Sequence, residues 1–331
     1  MQNGNRSILI TGANGFVGAR LCRKFLSKNY HVIAGVRKNA DLSQLQGLDI
    51  EFRYGDVTDK SSLETMVIGV DYIIHNAGIV KAKNDATFYD VNETGSRNLC
   101  EAVVAHNQNL KKLIYISSLA AAGPALNGNP VTEDDDPRPI TTYGCSKLAG
   151  EKTVLEFKDK LHVLSVRPPG IYGPGDKEIF SFFETVHKRI KPYIGDIQRK
   201  LQLVHVDDLC EGIVKAIEAE TASGSIYFIA EKDSYTMEQL IAFIESAVGK
   251  KGFPLILPGV VFKAVAFVSK TLFKLVNATP MLTPEKAGEL LASWEISTAK
   301  AKDELGFESS IPFADGSRET YNWYIEKGWL R

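Results

Sequence analysis

Two residues that can exchange protons, Tyr143 and Lys147, lie four positions apart in the segment Tyr-Gly-Cys-Ser-Lys. At the start of a predicted helix, this spacing places both side chains on one face. A free tyrosine has a pKa of about 10 and is a poor base at neutral pH, but an adjacent ammonium favours the phenolate. We therefore expect Tyr143 to act as a catalytic acid or base whose pKa is lowered by Lys147.

Ser118 is the third candidate for this chemistry. It follows Ser117 at the end of a predicted strand, and the carboxyl ends of parallel strands form the ligand crevice of α/β proteins. We expect the Ser118 hydroxyl to donate to a substrate oxygen near Tyr143, and Ser117 to be a structural hydrogen bonder. The sequence places no histidine to activate either serine and has no GxSxG segment, which disfavours an esterase.

A glycine-rich segment, Thr-Gly-Ala-Asn-Gly-Phe-Val-Gly, occupies residues 11–18, directly after the first predicted strand and at the start of a helix. In this position glycines permit a tight turn, a close approach of the backbone to a pyrophosphate, and packing of the helix on the strand. The predicted cofactor contacts in this loop are Gly12, Asn14, Gly15, Phe16, Val17 and Gly18.

Arg37 and Lys38 follow the second predicted strand, where NAD-binding proteins usually place an acidic residue for the ribose hydroxyls. An arginine fork and a lysine charge suit a 2′-phosphate, so the sequence favours NADP(H), with NAD(H) as the alternative. Residues after the third and fourth strands could contact the adenine or line the cofactor, or could be ordinary turn residues. These are Asp56 and Val57, and Asn76, Ala77 and Gly78.

Short apolar runs that alternate with helical stretches provide the scaffold for these candidates. They predict strands at residues 8–11, 31–36, 50–54, 72–75, 113–117 and 163–167. The stretches between them, such as 16–28 and 86–106, have the length of crossover helices. The predicted fold is therefore a Rossmann-type, doubly wound parallel α/β sheet.

The βαβ pattern stops after residue 167, where proline and glycine cluster at 168–170 and 173–175. Helical patterns then dominate, except for one strand–helix–strand unit over residues 202–230. We expect a dinucleotide-binding domain made of residues 1–172 and about 201–230. A smaller, mostly helical substrate-binding region would comprise about 173–200 and 231–331.

The bulk composition narrows the class of ligand. The 331 residues, 44% hydrophobic and 24% charged, are sufficient for an enzyme core, and a net charge of −1 gives no reason to expect nucleic acid. A small molecule is therefore the expected ligand. The four cysteines lack metal-type spacing, so no metal site is predicted. The N-terminus has no signal-peptide pattern, which indicates a cytoplasmic protein.

Residues 255–282 are unusually apolar, with Lys263, Lys270 and Lys274 spaced to share one helix face. Because charges interrupt the run, we do not expect a transmembrane span. One interpretation is a helix packed on the cofactor domain or on a partner subunit, which leaves a homodimer open. The other is a hydrophobic lid for an apolar or lipid-like substrate, with peripheral membrane contact through about 258–276.

Taken together and in order, TGANGFVG, Ser118, YGCSK and the segment Arg-Pro-Pro-Gly-Ile-Tyr-Gly-Pro-Gly at 167–175 resemble the extended short-chain dehydrogenase/reductase family. The resemblance to this epimerase/dehydratase-like group is nearest the dihydroflavonol reductase and 3β-hydroxysteroid dehydrogenase-like branch. It implies a Ser-Tyr-Lys triad at Ser118, Tyr143 and Lys147, and a structural role for Asn92. It also implies cofactor contacts at Pro168, Gly170 and Ile171, besides Tyr143 and Lys147.

Within this family, Leu119 and Ala120 stand where 4,6-dehydratases carry an Asp-Glu pair, which argues against dehydration. Arg37 points to NADP and hence to net reduction. We expect an NADP-dependent oxidoreductase that interconverts a ketone or aldehyde and an alcohol on a small apolar molecule of the steroid, lipid or flavonoid type. The alternatives are an NAD-dependent sugar-nucleotide epimerase and a non-catalytic NADP-binding sensor.

Overall fold

A seven-stranded parallel β-sheet forms the centre of the computed structural model, which describes residues 6–82, 84–126, 128–275 and 283–331, with side chains omitted for 270–275. The strands are β1 (Ser7–Thr11), β2 (His31–Val36), β3 (Glu51–Tyr54), β4 (Tyr72–His75), β5 (Lys112–Ile116), β6 (Val163–Arg167), β7 (Gly170–Tyr172), β8 (Ile190–Ile194), β9 (Lys200–Leu201), β10 (Leu203–His205), β11 (Ile226–Phe228), β12 (Tyr235–Thr236) and β13 (Phe253–Leu257). The large sheet has the order β11-β6-β5-β4-β1-β2-β3. This order confirms the predicted Rossmann-type fold, whose strand order reverses between β1 and β4.

Helices cover both faces of the large sheet. They are α1 (Phe16–Ser27), α2 (Lys60–Leu63), α3 (Asp85–Tyr89), α4 (Gly95–His106), α5 (Leu119–Ala122), α6 (Thr142–Leu155), α7 (Phe180–His187), α8 (Val206–Glu218), α9 (Met237–Val248), α10 (Gly259–Leu275), α11 (Pro284–Leu291), α12 (Ala299–Leu305) and α13 (Phe313–Glu326). Alternate residues of β1 face opposite layers, because successive side chains of a strand point to opposite faces. Ile8 and Ile10 pack towards α1 and α8, and Leu9 packs towards α4 and α6.

The crossover between β4 and β5 differs from the single helix predicted over residues 86–106. α3 and α4 are joined by one π-helical turn, Asp90–Thr94. The carbonyl of Asn92 in this turn accepts hydrogen bonds from the Ser96 and Tyr115 hydroxyls, at 2.6 and 3.5 Å. Such turns often occur at functional sites, and their wider backbone has no signature in hydrophobic spacing.

The C-terminal half is less helical than predicted. Three small two-stranded sheets form there, with pairings β10-β7, β12-β9 and β13-β8. Their strands have two to five residues, too few for a period of two to stand out in the sequence. Around them, α7, α9 and α13 enclose a second apolar core that includes Phe183, Phe313 and Tyr324.

The chain returns to the large sheet through α8 and β11, which pairs with β6. None of the described helices is long and apolar enough to cross a membrane.

A buried ion pair joins α6 to β6. Arg167 donates to Glu151 from Nε at 2.9 Å and from Nη2 at 2.5 Å, and Ser165 Oγ adds a third hydrogen bond at 2.7 Å. Both charged side chains are almost fully buried. A buried carboxylate that loses its cation carries the full cost of its desolvation. The pair therefore fixes α6 against the sheet.

We expect Arg167→Met to lower the free energy of unfolding by about 3–5 kcal/mol, because it leaves the Glu151 carboxylate buried and unpaired. Urea unfolding measures this loss. The double variant Glu151→Gln/Arg167→Met should recover part of it, since the charge is then removed as well. Lys188→Met, which breaks an exposed pair with Glu184, is the matched control and should change stability little. An Arg167→Met protein as stable as the wild type would contradict this account.

Candidate active site

The glycine loop between β1 and α1 is packed too tightly for side chains. Gly12 has a φ of +64°, and a Cβ there would lie 3.0 Å from Ala77 Cα. A Cβ at Gly18 would lie 2.2 Å from the Gly12 carbonyl oxygen. The loop therefore contacts the end of β4 directly, and α1 packs directly on the loop.

The start of α1 has the features of an anion site. Gly15 is the residue before the helix, its position is exposed, and no side chain caps the helix end. Asn14, Phe16 and Val17 beside it are partly exposed. The first amides of an uncapped helix are suited to a phosphate group. The loop thus fits the dinucleotide pyrophosphate predicted from its sequence.

Residues after β4 hold the loop in place. The Asn76 side chain donates to the Gly12 carbonyl at 3.3 Å, and the Ala77 amide donates to Thr11 Oγ1 at 3.0 Å. The same Thr11 hydroxyl lies 2.9 Å from Nδ1 of the buried His75. The structure thereby brings the glycine loop and the predicted cofactor residues after β4 together, at the point where the strand order reverses.

The candidate residues after β2 and β3 differ in whether their side chains already have hydrogen-bond partners. Arg37 and Lys38 are exposed, and within the described part of the chain neither side chain forms a hydrogen bond or ion pair. Asp56 Oδ1 instead accepts from the amide and hydroxyl of Thr58, at 2.9 and 2.8 Å, as its turn interpretation predicts. Val57 is buried, and its carbonyl accepts from the Asn98 side chain.

The predicted acid/base pair lies in the first two turns of α6, which Thr141 caps by accepting from the Gly144 amide at 3.0 Å. Lys147 is 5% exposed. Its Nζ donates to the Ile116 carbonyl at the end of β5, at 2.6 Å, and lies 4.2 Å from the centre of the Tyr115 ring. A buried ammonium is therefore held at the carboxyl edge of the sheet.

The pKa values of the pair differ from the sequence prediction. Burial raises the pKa of Tyr143 to about 12, and the Ser118 side chain lowers it only in part. Burial also lowers the pKa of Lys147 to about 7, against the opposing effect of Glu151. The net shift of the Tyr143 pKa is thus opposite in direction to the lowering expected from Lys147, because desolvation of the phenol dominates. At neutral pH the phenol therefore holds its proton.

The two serines after β5 have different surroundings. Ser118 Oγ accepts from the Ala120 amide at 3.1 Å, at the start of α5, and the Ser118 side chain lowers the pKa of Tyr143. Ser117 is buried, and its Oγ has no hydrogen-bond partner among the described residues. The prediction that the Ser117 hydroxyl forms a structural hydrogen bond was wrong. A buried hydroxyl without a partner beside the catalytic candidates is suited to a ligand atom.

The side chain of Asn92 joins two parts of the site. Its Oδ1 accepts from the Ile79 amide at 3.0 Å, and its Nδ2 donates to Ser146 Oγ at 2.9 Å. The segment after β4 and the helix that carries Tyr143 are thus tied through one buried side chain. These contacts fit the structural role that the family resemblance implies.

The Arg-Pro-Pro-Gly-Ile segment leads from β6 into β7 near the start of α5. The Pro168 carbonyl accepts from the Leu119 amide at 2.8 Å. Gly170 and Ile171 pair with Leu203 and Val204 of β10. Gly170 is exposed, and a Cβ there would lie 2.9 Å from the Leu203 side chain.

Sequence reasoning missed the acidic residues around Tyr143. Glu285, at the start of α11, accepts from the Thr142 amide at 3.1 Å, and the carboxylates of Glu289 and Glu178 raise the pKa of Tyr143. No local pattern could have found α11, which is 143 residues away along the chain. Helical spacing could have found Glu151, four residues after Lys147.

Comparison with known proteins agrees with this geometry. The sequence profile of the NAD dependent epimerase/dehydratase family matches residues 8–230. A ceramide reductase of Caulobacter vibrioides is 28% identical over 98% of the chain and 96% of its own length. A 3-beta-hydroxysteroid dehydrogenase of Mycolicibacterium neoaurum is 28% identical over 96% of the chain and 91% of its own length. The crystal structure of gox2253 superposes with a TM-score of 0.84, at 27% identity, and covers 99% of this chain and 100% of gox2253.

Proposed function

The chain belongs to the NAD dependent epimerase/dehydratase family and is an NAD(P)-dependent oxidoreductase, and we propose that it reduces a ketone or aldehyde on a lipid-like molecule with NADPH. The observation that carries this proposal is the state of Tyr143. Its phenol is buried, and burial raises its pKa to about 12 against the opposing effect of the Ser118 side chain. A phenol that keeps its proton at neutral pH is suited to giving it to a carbonyl oxygen.

In this proposal three side chains act on the substrate oxygen. Ser118 donates a hydrogen bond to the carbonyl and holds it beside Tyr143, which transfers its phenolic proton as the oxygen becomes an alkoxide. Lys147, as an ammonium, stabilises the phenolate that remains. These groups are preorganised, because Lys147 is fixed by Ile116 and Ser118 by the start of α5.

The cofactor would be held by the glycine loop, the segment after β4 and the residues at 168–171. When bound, the nicotinamide supplies the hydride for the carbonyl carbon. Two features of the chain fit such a ligand: the glycine positions that admit no side chain, and the unpartnered Ser117 hydroxyl.

Support for NADP comes from Arg37 and Lys38 at the end of β2. Both are exposed and unpaired within the described residues, so binding a 2′-phosphate would break no existing contact. An arginine there can make two parallel hydrogen bonds to phosphate oxygens.

Support for a lipid-like substrate comes from two sources. The names of two relatives, a ceramide reductase and a 3-beta-hydroxysteroid dehydrogenase, refer to lipid molecules. The surroundings of Tyr143 are partly apolar as well, since the Phe88 ring lies 6.3 Å from its own. The family description also includes epimerases, so a sugar-nucleotide epimerase is the second candidate. Leu119 and Ala120 after Ser118 offer no second acid/base pair, which disfavours a dehydratase.

The proposal is tested by NADPH oxidation with a panel of long-chain ketones, ketosteroids, simple aldehydes and sugar nucleotides. We expect turnover with the apolar carbonyls, and Tyr143→Phe should reduce it by about 10²–10⁴-fold because the proton donor is lost. Binding of NADPH should persist in this variant. Tyr54→Phe, which alters an exposed tyrosine, is the control. Full turnover in Tyr143→Phe would reject the mechanism, and absence of turnover with every carbonyl would favour the sensor alternative.

The pKa of Lys147 predicts a pH dependence. Since that pKa is lowered to about 7, the ammonium is present below pH 7 and is lost as the pH rises. We expect kcat/KM for NADPH in the reductive direction to fall above pH 7, while the phenol stays protonated up to about pH 12. In Lys147→Arg the cation persists, so any remaining activity should show no fall between pH 6 and 9, estimated from an arginine pKa above about 12. A flat wild-type profile would refute this assignment.

The double variant Arg37→Ala/Lys38→Ala should raise KM for NADPH by about 10–100-fold, as the loss of charge-assisted bonds to a phosphate predicts. KM for NADH should stay unchanged. Steady-state kinetics with both cofactors measure the difference, and Arg318→Ala on the exposed side of α13 is the control. Equal wild-type efficiency with NADH and NADPH would show that these residues do not select the cofactor.

A further inference from the structure

Exposed apolar side chains lie on β13 and the first ten residues of α10. Val260 is 82% exposed, Phe253 77% and Ile256 68%. The apolar surface consists of Phe253, Leu255, Ile256, Val260, Val261, Val265 and Val268. Exposed apolar side chains in this number within one short segment are unusual for a protein surface surrounded only by water.

This surface is not the interior face of α10. That face is formed by Phe262 and Ala266, which are buried against Ala287 of α11. At 100° per residue, Val260, Val261 and Val268 fall on the side of the helix away from it, and Val265 lies at the border between the two faces. α10 therefore has one apolar face that holds it to the protein and a second one that points outward.

All charged residues in the chain segment that contains β13 and α10 are positively charged. Between Glu245 and Glu285 the chain contains five lysines and no acidic residue, although the whole chain has a net charge of −1. Lys251 and Lys263 are exposed. By helical spacing, Lys263 lies between the interior face of α10 and Val260, at one edge of the outward face. Cations therefore border the apolar surface.

We propose that this apolar surface docks the protein on the face of an anionic lipid bilayer, with α10 lying in the plane of the membrane. An outward apolar face bordered by lysines is the pattern of interfacial helices, whose side chains enter the boundary of the acyl chains while the lysines contact lipid phosphates. A second copy of the chain fits this surface less well. A two-fold contact would place the lysines of both copies in one interface, where their charges repel.

The apolar surface lies close to the proposed active site, so membrane docking would bring that site to the bilayer. This part of the inference rests on the proposed function. α11 packs against α10 on one side and, through Glu285, is hydrogen-bonded to Thr142 next to Tyr143 on the other. One helix thus separates the apolar surface from the proposed proton donor. A docked protein would hold its active site next to the bilayer, from which a long-chain ketone could enter without crossing water.

Co-sedimentation of the purified full chain with vesicles tests the proposal. We expect binding to vesicles of phosphatidylcholine with one-quarter phosphatidylglycerol, and at least ten-fold weaker binding to pure phosphatidylcholine or at high salt. Val260→Asp/Val265→Asp should weaken binding to the anionic vesicles at least ten-fold. Ile68→Asp, which changes a side chain of similar exposure remote in sequence from this surface, should bind as the wild type does. Circular dichroism confirms that both variants are folded.

Three outcomes would overturn the proposal: no binding of the wild type to anionic vesicles, equal binding of Val260→Asp/Val265→Asp, or a concentration-dependent dimer that only this variant abolishes. Should the aspartates prevent folding, Lys251→Glu/Lys263→Glu tests the same surface through its charge and should also bind at least ten-fold more weakly.

Two variants distinguish a failure of the docking proposal from a failure of the proposed function. Val260→Asp/Val265→Asp should keep wild-type turnover of a short, water-soluble ketone and lose turnover of a ketone embedded in vesicles. Tyr143→Phe should lose both activities and bind vesicles normally. Vesicle binding without any carbonyl reduction would leave the docking in place and reject the reductase.

Discussion

The burial of one lysine is the constraint on which the site depends. An ammonium without water must be balanced by polar or aromatic partners, and Lys147 finds them in the Ile116 carbonyl and the Tyr115 ring, with the carboxylate of Glu151 in its surroundings. These groups belong to β5 and α6, so solvating the cation also fixes the helix that carries Tyr143. Glu151 is in turn held by Arg167 on β6. The contacts that position the proposed acid/base pair are therefore also contacts that stabilise the core.

The π-helical turn before α4 serves this arrangement. Its Asn92 carbonyl is so close to α6 that a Cβ at Gly150 would lie 2.0 Å from it. The approach lets the Asn92 side chain reach Ser146 on α6 and Ile79 after β4. A wider turn before one helix and a glycine in another thus bring the proposed proton donor and the predicted cofactor segments to a common edge of the sheet.

The sequence predicted what depends on local pattern and missed what depends on distant contacts. Short-range sequence signals predicted the parallel strands, the glycine loop and the helix that carries Tyr143 and Lys147. The predicted strands and helix were enough to place Tyr143 and Lys147 on one helix at the edge of the sheet. The pKa of Tyr143 was misjudged because spacing shows which charges are near and not how much water is lost. Glu285 and the short strands β7 to β10 have partners far along the chain, which no window of residues contains.

The pairing of β11 with β6 has a consequence for how the protein is made. β6 is a fully buried strand, but its outer neighbour is synthesised only after the segments that form β7 to β10 and α8 have left the ribosome. Until then its free backbone groups form an open edge beside apolar side chains, the kind of edge that recruits strands from other chains. The nascent polypeptide therefore passes through an aggregation-prone stage, and a truncated product that ends before residue 226 retains it permanently.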